Sequence, residues 1–279
     1  MPHHHFQAAW QFLVCFTLGI VLTSLVYLRG WFQLRSISFS PVPVWRAASF
    51  LGGLLLIWIA MASPVAALDH ELLTVHMIQH LLLMTFAAPL ILLGEPAMLL
   101  LDGLPRRFVR AVIDPLFGSP LIQQAGKALT RPVFCWLAAV AALVVWHIPA
   151  AFNLGMQSEA WHVVEHVSFF GTGLLFWSPV IQPWPSVSNS ASWSMVLYLF
   201  LAMLPCDILS GFLVFSERVA YVVYLATPGQ QPRLSVLADQ ECAGALMWTC
   251  VTIVYLVAGT ILSTRLLSPK RNLQSLEVR

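Results

Sequence analysis

The chain has 279 residues, 59% of them hydrophobic and 9% charged, with a formal net charge of +2. A soluble domain carries about 25% charged residues, so this composition excludes an ordinary soluble globular protein and identifies an integral membrane protein. Nucleotide and nucleic-acid binding have no footing either. There is no GxGxxG and no GK[ST] loop, and the basic residues form no binding stripe.

A helical span needs about 20 mostly apolar residues. Seven runs meet that length: Ala8–Leu28, Trp45–Ala66, Leu72–Leu93, Pro132–Ala150, Ala160–Val180, Ser192–Phe215 and Asp239–Ile261. The first is too long for a signal-peptide core and is read as a span. Only helices satisfy their own backbone hydrogen bonds in lipid one segment at a time. The expectation is therefore an all-α integral membrane protein, a bundle of about seven transmembrane helices forming one polytopic domain over residues 1–279. The connection Gly94–Arg131 mixes apolar residues with Arg and Lys and reads as interfacial helix on the cytoplasmic surface.

Orientation follows from Lys and Arg. Arg29, Arg35, Arg46, Arg106, Arg107, Arg110, Lys127, Arg131, Arg265, Lys270, Arg271 and Arg279 all fall on one side of a seven-span chain, 12 of the 14 basic residues. Arg218 and Arg233 fall on the other. The basic side is cytoplasmic, which puts the N-terminus outside and the C-terminus inside.

That assignment uses no histidine, yet all nine histidines fall on the outer side or in the outer part of the bilayer. His3, His4 and His5 precede the first span and suit an outer capture motif or a solvated terminus. His70 lies in a short loop, where it suits capping or solvation of a helix end. His76 and His80 enter the third span, at depths of about 6 and 12 Å. His147 leaves the fourth span, and His162 and His166 enter the fifth.

His76/His80 and His162/His166 are two HxxxH pairs. Spacing of four puts both rings of a pair on one helix face. Ionisable groups inside an apolar span are costly and by default functional, and two such pairs on neighbouring helices can chelate metal between them. Met84 continues the first stripe and Met247 lies two turns below Asp239; thioether with imidazole leans toward copper, whereas imidazole alone suits zinc, copper, iron or nickel. Glu165, Asp207, Asp239 and Gln79 are the groups able to orient imidazoles or carry protons. Zinc, with a carboxylate as general base, and haem between two histidines stay open on this reading. Cys15, Cys135, Cys206, Cys242 and Cys250 form no CxxC pair and are read as small buried residues.

Four blocks resemble a known family. His76-Met-Ile-Gln-His80-Leu-Leu-Leu with Pro89-Leu and Leu93-Gly94-Glu-Pro96, then Trp146-His147-Ile-Pro149 with Phe152-Asn153, are followed by His166, Gly173 and Phe176-Trp177-Ser-Pro179, and by Asp239-Gln240-Glu-Cys-Ala-Gly244-Ala-Leu-Met247-Trp248. In this order, over residues 76 to 248, they resemble the seven-span CtaG family of cytochrome c oxidase assembly factors, not the single-span copper chaperone that shares the name. The resemblance implies a non-enzymatic protein of the bacterial inner membrane that helps mature a haem–copper oxidase by handling copper. Its partners would be cytochrome c oxidase subunits and a periplasmic copper donor. The matching positions are His76, His80, His147, His166, Asp239 and Met247; His162, Glu165 and Asp207 rest on spacing alone. Two other readings stand beside it: a seven-span zinc hydrolase using Glu165 or Asp207 as base, and a copper transporter. The inner halves of the spans are nearly all apolar, which disfavours a through-path for ions.

Overall fold

The structure is a computed structural model that describes residues 2–37, 42–182, 192–225 and 235–268, with side chains described from residue 10. His3, His4 and His5 therefore lie outside the described side chains. Among the described residues the chain is all-helical. Its main helices are α1 (Pro2–Ile37), α2 (Val44–Ala62), α3 (Leu73–Leu93), α4 (Pro96–Gly103), α5 (106–118), α6 (Pro120–Leu129), α7 (Pro132–His147), α8 (Pro149–Gln157), α9 (Glu159–Ile181), α10 (Trp193–Phe215) and α11 (Val236–Leu267).

Each of the seven apolar runs is helical, but five helices are long and apolar enough to cross a membrane: Trp10–Ser36 within α1, α2, α3, α10 and α11. A sixth follows if α6 and α7, bent by 69° at their junction, count as one span. The shortfall from seven has two physical reasons. The run expected over Pro132–Ala150 stops at His147 because Ile148, which precedes Pro149, is extended (ψ 127°), and Pro149 opens a new helix. Helix α9 has 23 residues, but Glu159, His162, Glu165 and His166 interrupt its apolar character. The connection after Gly94 is helical as expected, in three pieces (α4, α5 and α6).

Large apolar side chains face outward along the long helices, among them Leu18, Leu22, Ile208, Phe212, Phe215 and Leu256. This is the exterior expected of a chain whose solvent is lipid. It also corrects the reading of the cysteines: Cys135 and Cys206 are buried, Cys250 is half-buried, and Cys15 and Cys242 lie exposed on their helices.

Two cores hold the bundle. At the end of α3 that runs into Leu93, Tyr27 is fully buried and stacks on Phe50 with ring centroids 3.9 Å apart. Its hydroxyl donates to the carbonyls of Gly94 (2.7 Å) and Arg46 (3.3 Å). Arg46 pairs with Glu95 at 2.6 Å, and Glu95 adopts a left-handed backbone (φ 48°) between α3 and α4. Helix α4 then packs on α1. A Cβ at Gly30 would collide with the carbonyl oxygen of Leu99, and one at Gly103 with that of Val26. Glycine at both positions is thus what allows these backbones to touch.

The second core lies among α3, α7, α9, α10 and α11 and positions the histidines. Its buried residues include Met77, Phe152, Phe176, Trp177, Cys206 and Met247. Helix α3 is not uniform: Leu81–Ala87 forms a π-helical stretch directly after His80. Pro89 lacks an N–H and its ring crowds the carbonyl four residues back; the widened turn accommodates both. Trp177 of α9 donates its indole N–H to the Met84 carbonyl at 3.1 Å within that turn.

Candidate metal centre

Helix α3 delivers His76 and His80, four residues apart, into the contact with α9. The start of α3 is fixed from α11. The Asp239 carboxylate accepts from the backbone N–H groups of Leu73 (2.6 Å) and Thr74 (3.2 Å), and the Thr74 hydroxyl donates to the Asp239 carbonyl at 3.0 Å. These are two of the N–H groups that a helix start leaves without internal partners, so Asp239 acts as an N-cap supplied in trans.

Helix α9 brings Glu165 to this pair. His76 Nε2 lies 2.8 Å from His80 Nε2 and 3.4 Å from Glu165 Oε1; His80 Nε2 lies 3.2 Å from the same oxygen. His76 is 0% exposed and Glu165 1%. Three donors bound tetrahedrally at about 2.0–2.1 Å would be separated by roughly 3.3 Å. The triangle already present has edges close to that figure, so an ion could be seated without moving a helix.

Glu165 owes its position to a missing side chain on α8. A Cβ on Gly155 would come within 2.7 Å of Glu165 Oε2. The same carboxylate oxygen, His76 Nδ1 and His80 Nδ1 are buried without a hydrogen-bond partner among the described residues. Buried polar atoms are normally paired; these three lie on the ring and carboxylate edges turned away from the triangle, whose own atoms are His76 Nε2, His80 Nε2 and Glu165 Oε1.

His166 and His147, by contrast, are held through their Nδ1 atoms. His166 Nδ1 lies 2.8 Å from the His162 carbonyl and His147 Nδ1 lies 2.7 Å from the Leu143 carbonyl. A carbonyl can only accept, so each Nδ1 carries the proton and each Nε2 keeps its lone pair. Both Nε2 atoms are buried and unpartnered. Fixing the tautomer through a backbone carbonyl is how proteins orient imidazole ligands.

A second donor set lies toward the surface. Asp69, His76 and His162 have ligand atoms within 4.8 Å of one another, and His162 Nε2 is 3.6 Å from Asp69 Oδ2. His162 stacks on His76 with centroids 5.5 Å apart. His70, with a side chain 56% exposed, stands at the rim, 3.7 Å from Asp69 Oδ1. A cleft between α1, α2 and α9, lined by Asp69, Gln79, His162 and His166, reaches this set.

The segment after α10 closes one flank. The Tyr221 ring stacks on Phe152 at 3.9 Å and its hydroxyl donates to the His147 carbonyl at 3.2 Å; the Tyr224 hydroxyl donates to the Asp69 carbonyl at 2.9 Å. Burial pushes both phenols up from their usual range, so they stay protonated donors. Gln240 fastens the segment, accepting from Ala220 N–H at 2.7 Å and donating to the carbonyls of Leu213 and Arg218, both at 3.2 Å.

Of the residues singled out from sequence, the structure gathers His76, His80, His162, His166 and Glu165 in one cluster, with His70 at its rim. His147, Met84 and Met247 instead line a cavity on the far side of His80. Gln79 does not orient a histidine: its amide donates to the carbonyls of Ala60 (3.1 Å) and Ala66 (3.3 Å). Asp239 is occupied as the cap. Asp207 has Oδ1 buried without a partner and makes no hydrogen bond or ion pair to a histidine among the described residues. Sequence reasoning missed Asp69, which sits just after a 3-10 turn (Ala66–Leu68), where helical periodicity offers no signal. Its adjacency to His70 was the one available cue.

A family model described as cytochrome c oxidase caa3 assembly factor matches residues 25–268. The chain is 24% identical to uncharacterized proteins of Mycobacterium bovis and Mycobacterium tuberculosis, over 97% of this chain and 41% of each relative. It is 22% identical to an uncharacterized protein of Mycobacterium leprae, over 90% of this chain and 38% of the relative. The chain thus spans about two fifths of these relatives' length. No solved structure matches it. The match over residues 25–268 covers most of the chain, and the protein belongs to the cytochrome c oxidase caa3 assembly factor family.

Proposed function

We propose that this protein assists maturation of a haem–copper cytochrome c oxidase in the bacterial inner membrane by holding copper at the His76–His80–Glu165 triad and passing it to an oxidase subunit. The observation that carries the reading is the triangle of donor atoms with edges of 2.8, 3.2 and 3.4 Å. Imidazole is a ligand that copper shares with zinc, iron and nickel; membership of a cytochrome c oxidase assembly factor family is what favours copper among them. The Asp69–His162 set at the surface would receive the ion from a periplasmic donor and share His76 with the buried triad. Copper is the cargo here, so the chain catalyses no bond chemistry of its own.

The topology belongs to the same proposal. Seven passes, with α7 and α9 counted as spans, place the N-terminus outside and the C-terminus in the cytoplasm. They set the histidine cluster toward the periplasm and Arg29, Arg46, Arg106 and Arg110 toward the cytoplasm, in keeping with the positive-inside rule.

The test is complementation of a strain lacking the protein with His76→Ala, Glu165→Gln or wild-type chain. The expected result is oxidase polypeptide made at normal level but depleted of copper and activity in both variants. Normal oxidase copper in both variants would overturn the reading. A two-histidine, one-carboxylate set is also used by zinc hydrolases; tightly bound zinc, with hydrolytic turnover lost on zinc removal, would replace the copper reading by that one.

A further inference from the structure

Beyond His80, toward the middle of the bundle, lies a cavity of about 50 Å³ between α3, α7, α9, α10 and α11. A lone water needs roughly 10–15 Å³ by this measure, so the space admits an ion with one or two small ligands. It is far below the roughly 300–1,000 Å³ of pockets for drug-sized molecules. Most of its wall is aliphatic or aromatic. Four sulfur side chains break that pattern, Met77, Met84, Met247 and Cys206, together with two imidazoles, His80 and His147, and the hydroxyl-bearing Thr85 and Tyr255. Met77, Met247 and Cys206 are 2–4% exposed.

Methionine in a core is ordinarily filler. Here the filler explanation leaves one atom unaccounted for. His147 Nε2 bears a lone pair, because Nδ1 donates to the Leu143 carbonyl, and it is buried without a hydrogen-bond partner. No described residue supplies this nitrogen with a donor, and an unpaired buried acceptor costs about 1–3 kcal/mol. A soft cation would satisfy it along with the sulfurs.

The charge selects the ion. Thioethers are neutral, and a low-dielectric cavity penalises a divalent cation far more than a monovalent one. Thioether and thiolate ligands favour Cu(I). Cys206 binding as thiolate cancels the single charge and releases its S–H proton to solvent, one proton per ion. The ion arrives and leaves as Cu(I), so no electron is transferred.

Taken together, we propose a second, deeper cuprous site in this cavity, formed by Met77, Met84, Met247, Cys206 and His147, and connected to the outer triad through His80, which lines both. The proposal rests on the copper reading of the triad. It turns a single binding site into a two-position relay: nitrogen and oxygen donors outside, sulfur donors inside, where Cu(I) is kept from water.

The experiment titrates purified full-length protein in detergent with Cu(I) under anaerobic conditions, and separately with Ag(I) as a redox-inert probe. Metal per chain is counted, and scatterers are read by X-ray absorption. Wild type should bind two Cu(I), with sulfur at about 2.3 Å, the usual metal–thiolate distance. The volume-conserving variant Met84→Leu/Met247→Leu with Cys206→Ser should bind one, with nitrogen and oxygen scatterers only. His76→Ala/Glu165→Gln should also bind one, with sulfur retained. A Met/Cys variant indistinguishable from wild type, or a wild type without sulfur scattering, overturns the inner site while leaving the triad intact. An unchanged His76→Ala/Glu165→Gln variant would instead overturn the triad. Because Leu replaces Met at nearly equal volume, unaltered thermal unfolding of the Met84→Leu/Met247→Leu pair separates lost ligation from lost fold.

Discussion

Glu165 of α9 places its Oε1 atom 3.2 Å from the Nε2 atom of His80 on α3. Eighty-five positions of chain separate the two in sequence, and the contact converts a helical HxxxH pair into a three-donor site. It also puts one buried carboxylate among several imidazoles, which balances the charge of a bound cation better than imidazoles alone.

Glu165→Gln keeps the shape of the side chain and removes its charge. Loss of outer partners of metal ligands already costs about 10–100-fold in affinity. Direct loss of the carboxylate is expected to weaken copper binding at the triad by at least about 100-fold, measured by competition with a chelator of known affinity.

Gly155→Ala should act at a distance in sequence but not in space. Its new Cβ would stand 2.7 Å from Glu165 Oε2, so the carboxylate must turn away from the histidines. The expected outcome is reduced metal affinity with little change in unfolding temperature. Gly171→Ala on α9, where a Cβ meets nothing within 4 Å, should leave metal binding unchanged and serves as the control.

Asp239→Ala should be structural first and functional second. It leaves the Leu73 and Thr74 N–H groups without their acceptor, at about 1–3 kcal/mol for each buried group left unpaired. Lower thermal stability is expected, with fraying at the start of α3 seen as faster hydrogen exchange at residues 73–76. Asp239→Asn, which retains an acceptor oxygen, should recover part of the loss.

Tyr27→Phe removes a buried hydroxyl that bridges α1 to the Gly94 carbonyl. A loss of about 1–3 kcal/mol is expected for the carbonyl left unpaired, with copper stoichiometry unaltered. Loss of copper in this variant would show that the two cores are not separate units.

The helices were legible in the sequence because lipid imposes long apolar runs, and α3, α10 and α11 begin within three residues of the expected starts. A boundary failed where proline intervenes: α7 ends at His147, before Pro149, whereas α9 (Glu159–Ile181) runs within one residue of its expected ends and buries Glu165 and His166 against other helices. The pairing of His76 with His80 was legible from spacing. The role of Glu165 was not, since spacing joins it to His162 on its own helix, and only the rotation of α9 against α3 aims it at His76 and His80. Asp239 reads as a partner for a histidine because both lie at the outer side. Its actual engagement, with backbone N–H groups of another helix, leaves no local mark. Met84 was placed on the histidine stripe by regular helical spacing, but the π-helical stretch that begins at Leu81 alters that spacing before Met84 is reached.

The most direct test of the triad is an anomalous-difference density map recorded at the copper absorption edge from crystals of the copper-loaded protein. A strong peak is expected about 2.0–2.2 Å from His76 Nε2, His80 Nε2 and Glu165 Oε1. Copper bound elsewhere in the crystal, with no peak among these three atoms, would contradict the account.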